Sequence, residues 1–175
     1  RTGSSWVKSS FVASQELNAI DLVDATNGWA VGGSILGDVG NLVFKGGGIW
    51  SEVKTNVPAP LFDVALVDID NGWAVGGVIT SLSPAKGTPM LYRLQNGVWS
   101  EVSVTADTVF FAVDVRSDGY GWAVGLNGVV VELTPTGASV CEAGKYSTKH
   151  LRGVSISPES GRAFVVGDDA TSFWL

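Results

Sequence analysis

The sequence predicts an all-β fold, a β-propeller of four blades with four antiparallel strands in each. Three observations carry this. The pentapeptide Gly28-Trp29-Ala30-Val31-Gly32 returns as Gly72-Trp73-Ala74-Val75-Gly76 and as Gly121-Trp122-Ala123-Val124-Gly125, with a divergent copy at Ala163-Phe164-Val165-Val166-Gly167. Its aromatic residues lie 44, 49 and 42 residues apart. A period near 45 residues with several short apolar runs per unit is that of a propeller blade. The units are dense in glycine, valine and tryptophan, with 23 glycines and 7 tryptophans in 175 residues. They hold no long stretch of 3.6-residue periodicity, which argues against a helical solenoid of the same period.

Taken in order, residues 4–10 alternate around Trp6 and are expected as a strand with no partner just before it. Residues 17–24 form an apolar, strand-like run closed by a turn at Asn27-Gly28, two residue types that accept positive φ. Strands follow at 29–33, 41–45 and 49–54, with Gly46-Gly47-Gly48 turning the chain between the last two. The second unit repeats this at 61–69, 73–78, 90–94 and 98–103, with turns at 70–72 and 96–97 and a longer loop over 80–89. The third unit has strands at 110–116, 122–126, 129–133 and 139–143, and the fourth at 151–157, 162–167 and 172–175.

The chain thus starts on a strand of the fourth type and ends on one of the third type. The blades are expected over about 17–55, 61–104 and 110–144, with the last made of 151–175 plus 4–10. Pairing the N-terminal strand with the C-terminal three would close the ring and leave only short outer edges. The repeated aromatics form two sets: Trp29, Trp73, Trp122 and Phe164 on second strands, and Trp6, Trp50 and Trp99 on fourth strands. An equal place in every blade predicts a structural role. The ring wedges between neighbouring sheets, and the indole N–H finds a backbone acceptor.

The Gly-Trp-Ala-Val-Gly run after an apolar strand, with a Gly-x-Trp turn and strand about 20 residues on, resembles two groups of propeller repeats. One is the photosystem II assembly factors of the Ycf48-like family, and the other is the BNR/Asp-box repeats. The resemblance covers roughly residues 4 to 175 and implies the blade. In that family the last turn reads like Asp-Gly-Gly-x-Thr-Trp. Here it is Gly46-Gly47-Gly48-Ile49-Trp50 and Asn96-Gly97-Val98-Trp99, and the third copy, Thr136-Gly137-Ala138-Ser139, has no tryptophan. The family's propellers have seven blades and a basic binding patch, whereas this chain has room for about four blades and is acidic. The resemblance therefore implies the fold and leaves the partner open.

Composition narrows the function. A net charge of −6 and a pI near 4.6 argue against a nucleic-acid binder, which would show a basic stripe, and against an anionic membrane surface as partner. No apolar run reaches the roughly 18 residues of a membrane span. One cysteine, Cys141, offers no internal disulfide. The chain opens on Arg1 and not on Met, so a processed or excised product is expected, with any targeting signal removed. An extracellular or cell-surface setting is favoured over others.

Catalytic and metal chemistry find little footing. Asp68-Ile69-Asp70-Asn71-Gly72 looks like the opening of a calcium loop, but its twelfth position is Ile79 where a bidentate Glu is needed. An Asx-stabilised hairpin turn explains it, and Asp24 to Gly28 likewise. His150 is the only histidine, too few for a zinc or copper site, and no nucleophile elbow accompanies it. No catalytic residue, metal or cofactor is assigned.

Binding is therefore expected on the face shared by the second-to-third-strand loops and the blade connectors, because variable loops on a rigid scaffold carry recognition. The candidate contact residues are Thr80, Ser81, Ser83 and Lys86 in the longest loop, then Lys145, Tyr146 and His150. Trp174, like Tyr120, departs from the repeat and is a candidate exposed aromatic. The expected function is a non-catalytic binding or assembly module for a protein or glycan partner, with self-assembly possible. The alternatives are a structural subunit of a coat, surface layer or filament, and a degenerate glycosidase- or sialidase-like enzyme.

Overall fold

A computed structural model describes residues 8–35, 37, 39–141 and 145–175. Among these, four antiparallel sheets follow one another along the chain. The first is β1 (Leu17–Leu22), β2 (Gly28–Gly33), β3 (Gly40–Gly46) and β4 (Ile49–Val57). The second is β5 (Leu61–Asp68), β6 (Asn71–Leu82), β7 (Ala85–Gln95) and β8 (Val98–Glu101). The third is β9 (Phe110–Val115), β10 (Gly121–Gly125), β11 (Val130–Thr134) and β12 (Gly137–Val140). The fourth is β13 (Leu151–Ile156), β14 (Ala163–Gly167) and β15 (Ser172–Trp174). Each strand pairs only with its neighbours in sequence, so every sheet is a meander, and the four are propeller blades.

The pentapeptide explains how the blades stack. On β2, successive side chains point to opposite faces. Trp29 and Val31 face forward and join Leu42 in a cluster with Val64, Ala74 and Tyr92 of the second sheet. Ala74 is the small residue of the next pentapeptide, so each repeat offers a large residue to the blade ahead and a small one to the blade behind. The same arrangement recurs where Trp73 and Val75 meet Ala123 and Val113. At the third interface Val124 meets Leu151 and Val165, a larger residue in the place of that alanine.

The closing glycine of each repeat is there for close approach. A Cβ on Gly32, Gly76, Gly125 or Gly167 would stand 1.7, 2.0, 2.1 or 2.3 Å from the carbonyl oxygen of Glu16, Pro60, Val109 or His150. Those carbonyls accept hydrogen bonds from Gly33, Gly77, Leu126 and Asp168, at 2.8 to 3.0 Å. Only a residue without a side chain lets the incoming connector reach that position.

Carboxylates on the first strands tie blade to blade. Asp21 Oδ2 accepts from the Leu66 N–H at 2.8 Å, Asp63 Oδ2 from Val113 at 2.9 Å and Asp114 Oδ2 from Ile156 at 2.7 Å. Trp29 adds its indole N–H to the Ile69 carbonyl at 3.2 Å, the backbone acceptor expected for it.

Three expectations from the sequence need restating. The stretch over 80–89 is no loop, because β6 and β7 continue their ladder with Val78 opposite Thr88 and Leu82 opposite Ala85. The N-terminal strand expected at 4–10 falls mostly outside the described residues, Trp6 included, and so does the closure it would provide. Of the rest, residues 8–10 are not in a strand. Phe11 lies 6.4 Å from Trp50, and the Ser14 N–H donates to Glu52 at 2.6 Å, so this segment runs along the first sheet. Finally, the apolar clusters join the first sheet to the second, the second to the third and the third to the fourth. Among the described residues no such cluster joins the fourth sheet to the first.

Candidate functional site

Because each sheet is a meander, its second-to-third-strand loop and its incoming connector share one end of the blade. The extended hairpin of β6 and β7 rises at this end, and its position is set from one side. Asn127 Nδ2 donates to the Ala85 carbonyl at 2.8 Å. The Gly87 N–H donates to Asp107 Oδ1 at 3.1 Å, and Lys86 Nζ sits 3.2 Å from Asp107 Oδ2. Asn127 can reach the hairpin because the chain takes a positive φ of 58° there, a conformation asparagine tolerates.

The rim continues into the third and fourth blades. The Asn127 N–H donates to His150 Nδ1 at 3.1 Å, and the His150 carbonyl accepts from Asp168. Asp168 binds the Arg152 guanidinium through both oxygens, at 2.9 and 3.0 Å. That contact holds the Asp168 carboxyl below its ordinary range and raises Arg152. Lys149 pairs with Asp169 at 2.5 Å, and its pKa is raised by the hydrogen bond it donates to that carboxylate.

On its other side the hairpin is apolar. A cleft of about 280 Å³ lies between it and the first blade, lined by Ile35, Gly37, Val78, Ile79 and Leu82. Leu82 is 84% exposed and Ile35 is 55% exposed, so two aliphatic side chains flank an open apolar cleft on the loop face.

The residues expected from sequence divide three ways. Thr80, Ser81, Ser83 and Lys86 stand on the hairpin, with Thr80 and Ser83 exposed and Lys86 held by Asp107. His150 reaches the same hairpin through Asn127, whereas Tyr146 is a packing residue. It stacks on Phe173 at 5.5 Å, with Lys145 Nζ 5.1 Å above its ring. Trp174 is exposed but lies on the forward face of the fourth sheet, 4.8 Å from Phe164 and beneath Arg162. The repeated tryptophans pack as ring neighbours: Trp29 lies 5.4 Å from Trp99 at 87°, and Trp73 sits under Arg93.

Sequence reading missed Ile35, Val78, Ile79 and Leu82, as well as the anchors Asp107 and Asn127. A signal existed for three of them: apolar residues continue at Val78, Ile79 and Leu82 past the pentapeptide, which an extended strand would use. The acidic turns prove to be Asx turns. Asp68 Oδ1 accepts from the Asp70 N–H at 2.8 Å, and Asp24 Oδ1 accepts from Thr26 at 2.6 Å and Asn27 at 2.9 Å.

No protein-family model matches the chain, and no curated protein matches it. Solved structures do. The structure of YCF48 bound to D1 peptide superposes with a TM-score of 0.62 at 15% identity, over 93% of this chain and 51% of that one. YCF48 from Cyanidioschyzon merolae gives 0.54 at 16% identity, over 91% and 55%. The computationally designed Ika4 protein gives 0.65 at 10% identity, over 94% and 92%. The chain spans about half the length of the two YCF48 chains. At these identities the likeness is one of fold. It bears out the propeller and the resemblance to Ycf48-like repeats, while the Asp-box family rests on the sequence alone.

Proposed function

We propose that the chain is a non-catalytic binding module whose loop face takes a protein segment with apolar side chains. The observation that carries this is the open cleft between Ile35 and the β6–β7 hairpin, with Leu82 exposed at its edge. Isolated exposed aliphatics are ordinary on a surface, but a concave apolar site on an anchored scaffold is where partners dock. The charged groups on the opposite side of the hairpin support binding over catalysis. Asp107, Asp168 and Asp169 pair with Lys86, Arg152 and Lys149, and His150 Nδ1 is occupied by a backbone N–H. One protein of this fold, YCF48, is bound to a peptide in its solved structure, which is compatible with such a role here.

The test is a peptide library screened against the immobilised chain, with Leu82→Asp and Ile35→Asp as variants. Peptides rich in Leu, Ile or Phe should be captured. Each variant should weaken capture at least about tenfold, as expected for loss of a desolvated anchor, while Thr80→Ala leaves it unchanged. A silent peptide library with a positive glycan array would move the assignment to a glycan.

A further inference from the structure

The interface between the first and second blades and that between the second and third differ at three repeat positions, on the face opposite the loop face. Beside Trp29 all three are apolar. Phe44 stands opposite it on β3 with the rings 4.9 Å apart, Trp99 of the second blade lies 5.4 Å away, and Ile69 packs on the same cluster. Beside Trp73 the register places Arg93, Ala138 and Asp118 there. Arg93 stands opposite Trp73 as Phe44 does opposite Trp29. Ala138 pairs with Leu133 as Trp99 pairs with Leu94. Asp118 comes three residues after Val115, the partner of Gly121, as Ile69 comes three after Leu66, the partner of Gly72. Three large apolar groups thus give way to a guanidinium, a methyl group and a carboxylate. A pocket of about 180 Å³ opens beside Trp73, with Arg93, Asp68, Asp118, Val67 and Pro135 in its wall.

We propose that this pocket binds a single neutral sugar ring. The mixed charge of its wall carries the choice. Arg93 is fixed over the Trp73 ring by the bond its Nη2 donates to the Pro135 carbonyl. Asp68 is held by the Asp70 N–H and the Asn71 amide, and Asp118 by Arg116. An anion beside Arg93 would face both carboxylates, and a cation beside the carboxylates would face Arg93. A neutral ligand carrying hydroxyl groups satisfies both, because a hydroxyl donates one hydrogen bond and accepts others. A ligand without hydroxyls would strip water from these charged groups and leave them unpartnered, which is costly. The indole N–H of Trp73 adds a donor. Its counterpart on Trp29 is spent on the Ile69 carbonyl, whereas that of Trp73 has no acceptor among the described residues. The C–H groups of the ring would lie against Val67 and Pro135. The volume is below the roughly 300 Å³ at which drug-sized pockets begin, which suits one ring and not a chain of them. The pocket lies on the turn face, away from the cleft between Ile35 and Leu82, so it stands or falls independently of peptide binding.

The experiment is an NMR titration of the nitrogen-15-labelled chain with glucose, galactose, mannose, fucose and N-acetylglucosamine, each taken to high millimolar concentration. At least one sugar is expected to shift the Trp73 indole and Gly119 amide signals saturably, with a Kd on the order of 1 mM for so small a ligand. Asp118→Ala and Arg93→Met should each weaken that binding at least about tenfold, as expected for loss of a charged hydrogen-bond partner, while Leu82→Asp leaves it unchanged. Asp118 is exposed and Arg93 half-buried, so both variants should fold, as circular dichroism would verify. The methyl glycoside of the responding sugar separates two sources of the ring. Equal affinity identifies the terminal residue of a glycan and lost affinity a free sugar, and either supports the pocket. No saturable shift of these signals with any of the sugars overturns the inference. So does a response that Asp118→Ala and Arg93→Met both leave intact. A shift produced by acetate or inorganic phosphate in place of the sugars would assign an anion and overturn it as well.

Discussion

Asp63 on β5 and Val113 on β9 join the second and third blades through a carboxylate–amide hydrogen bond of 2.9 Å, while the other oxygen of Asp63 accepts from the Val64 N–H at 2.9 Å. The carboxyl is part-buried, and burial pushes its pKa above the ordinary 3.8 despite these two donors, with Asp114 and Asp21 pushing the same way. Desolvation therefore outweighs the hydrogen bonds. A carboxyl whose folded pKa is raised binds more protons in the native state, so its contribution to stability falls as pH rises through the window from 3.8 to the folded value.

Urea unfolding against pH should detect this. Asp63→Asn removes the titration, so the fall in stability within that window should lessen relative to the wild type. Asp63→Ala leaves two backbone N–H groups without acceptors and should cost about 1–3 kcal/mol at neutral pH. Equal pH slopes in Asp63→Asn and the wild type would show that burial does not control this group.

Asp24 acts in the opposite sense. Hydrogen bonds from Asn27 and Thr26 lower its pKa to about 2 from 3.8. Its stabilising contribution is present above 3.8 and is lost as pH falls towards 2. A carbon-detected NMR titration should place the Asp24 carboxyl well below the ordinary 3.8. An Asp24 value at the ordinary 3.8 would mean that the Asx turn is not formed in solution.

Equivalent repeat positions should respond unequally to the same change. Trp29 packs 4.9 Å from Phe44 and 5.4 Å from Trp99, so Trp29→Ala should cost about 3–5 kcal/mol in chemical unfolding. Phe164 is 37% exposed, and Phe164→Ala should cost under about 1 kcal/mol. Similar losses at both positions would indicate that Phe164 is covered within one chain.

The closing glycine gives a sharper backbone test. A Cβ at residue 125 would stand 2.1 Å from the Val109 carbonyl oxygen and 3.0 Å from Phe110 Cα. Gly125→Ala should cost about 1–3 kcal/mol from overpacking alone, and Gly137→Ala, which meets open space, should be nearly neutral.

Anchoring of the hairpin is testable by hydrogen exchange. Asn127→Ala removes the bond to the Ala85 carbonyl and should raise amide exchange around the hairpin tip, roughly as expected for loss of about 1 kcal/mol of local stability. Unchanged exchange there would mean that Asp107 alone holds the hairpin.

The blades were legible because a repeat states its own period. Three pentapeptides located the second strands, and their glycines and aromatics anticipated both the close backbone approach and the wedge at Trp29. The hairpin was misread because Gly87 and the prolines at 84 and 89 look like loop punctuation. In the fold they are carried within a two-stranded extension, whose ladder is paid for by anchors from Asp107 and Asn127 rather than by local propensity. Those anchors were invisible because they come from residues 20 and 42 positions away.

The sequence by itself determined the all-β class, the repeat period, the order of strands within each blade and the expectation that repeated aromatics serve packing. These follow from local periodicity and from residue types whose backbone limits are intrinsic. Tertiary structure alone decided which faces are covered. Phe164 and Trp29 occupy the same repeat position, yet one is exposed and the other buried, because burial depends on whether a further sheet stacks ahead. It also decided which carboxylates cross between blades, and that Ile35 meets Leu82 at a shared cleft. Such contacts join residues far apart in the chain, and the repeat pattern of a single blade does not encode them.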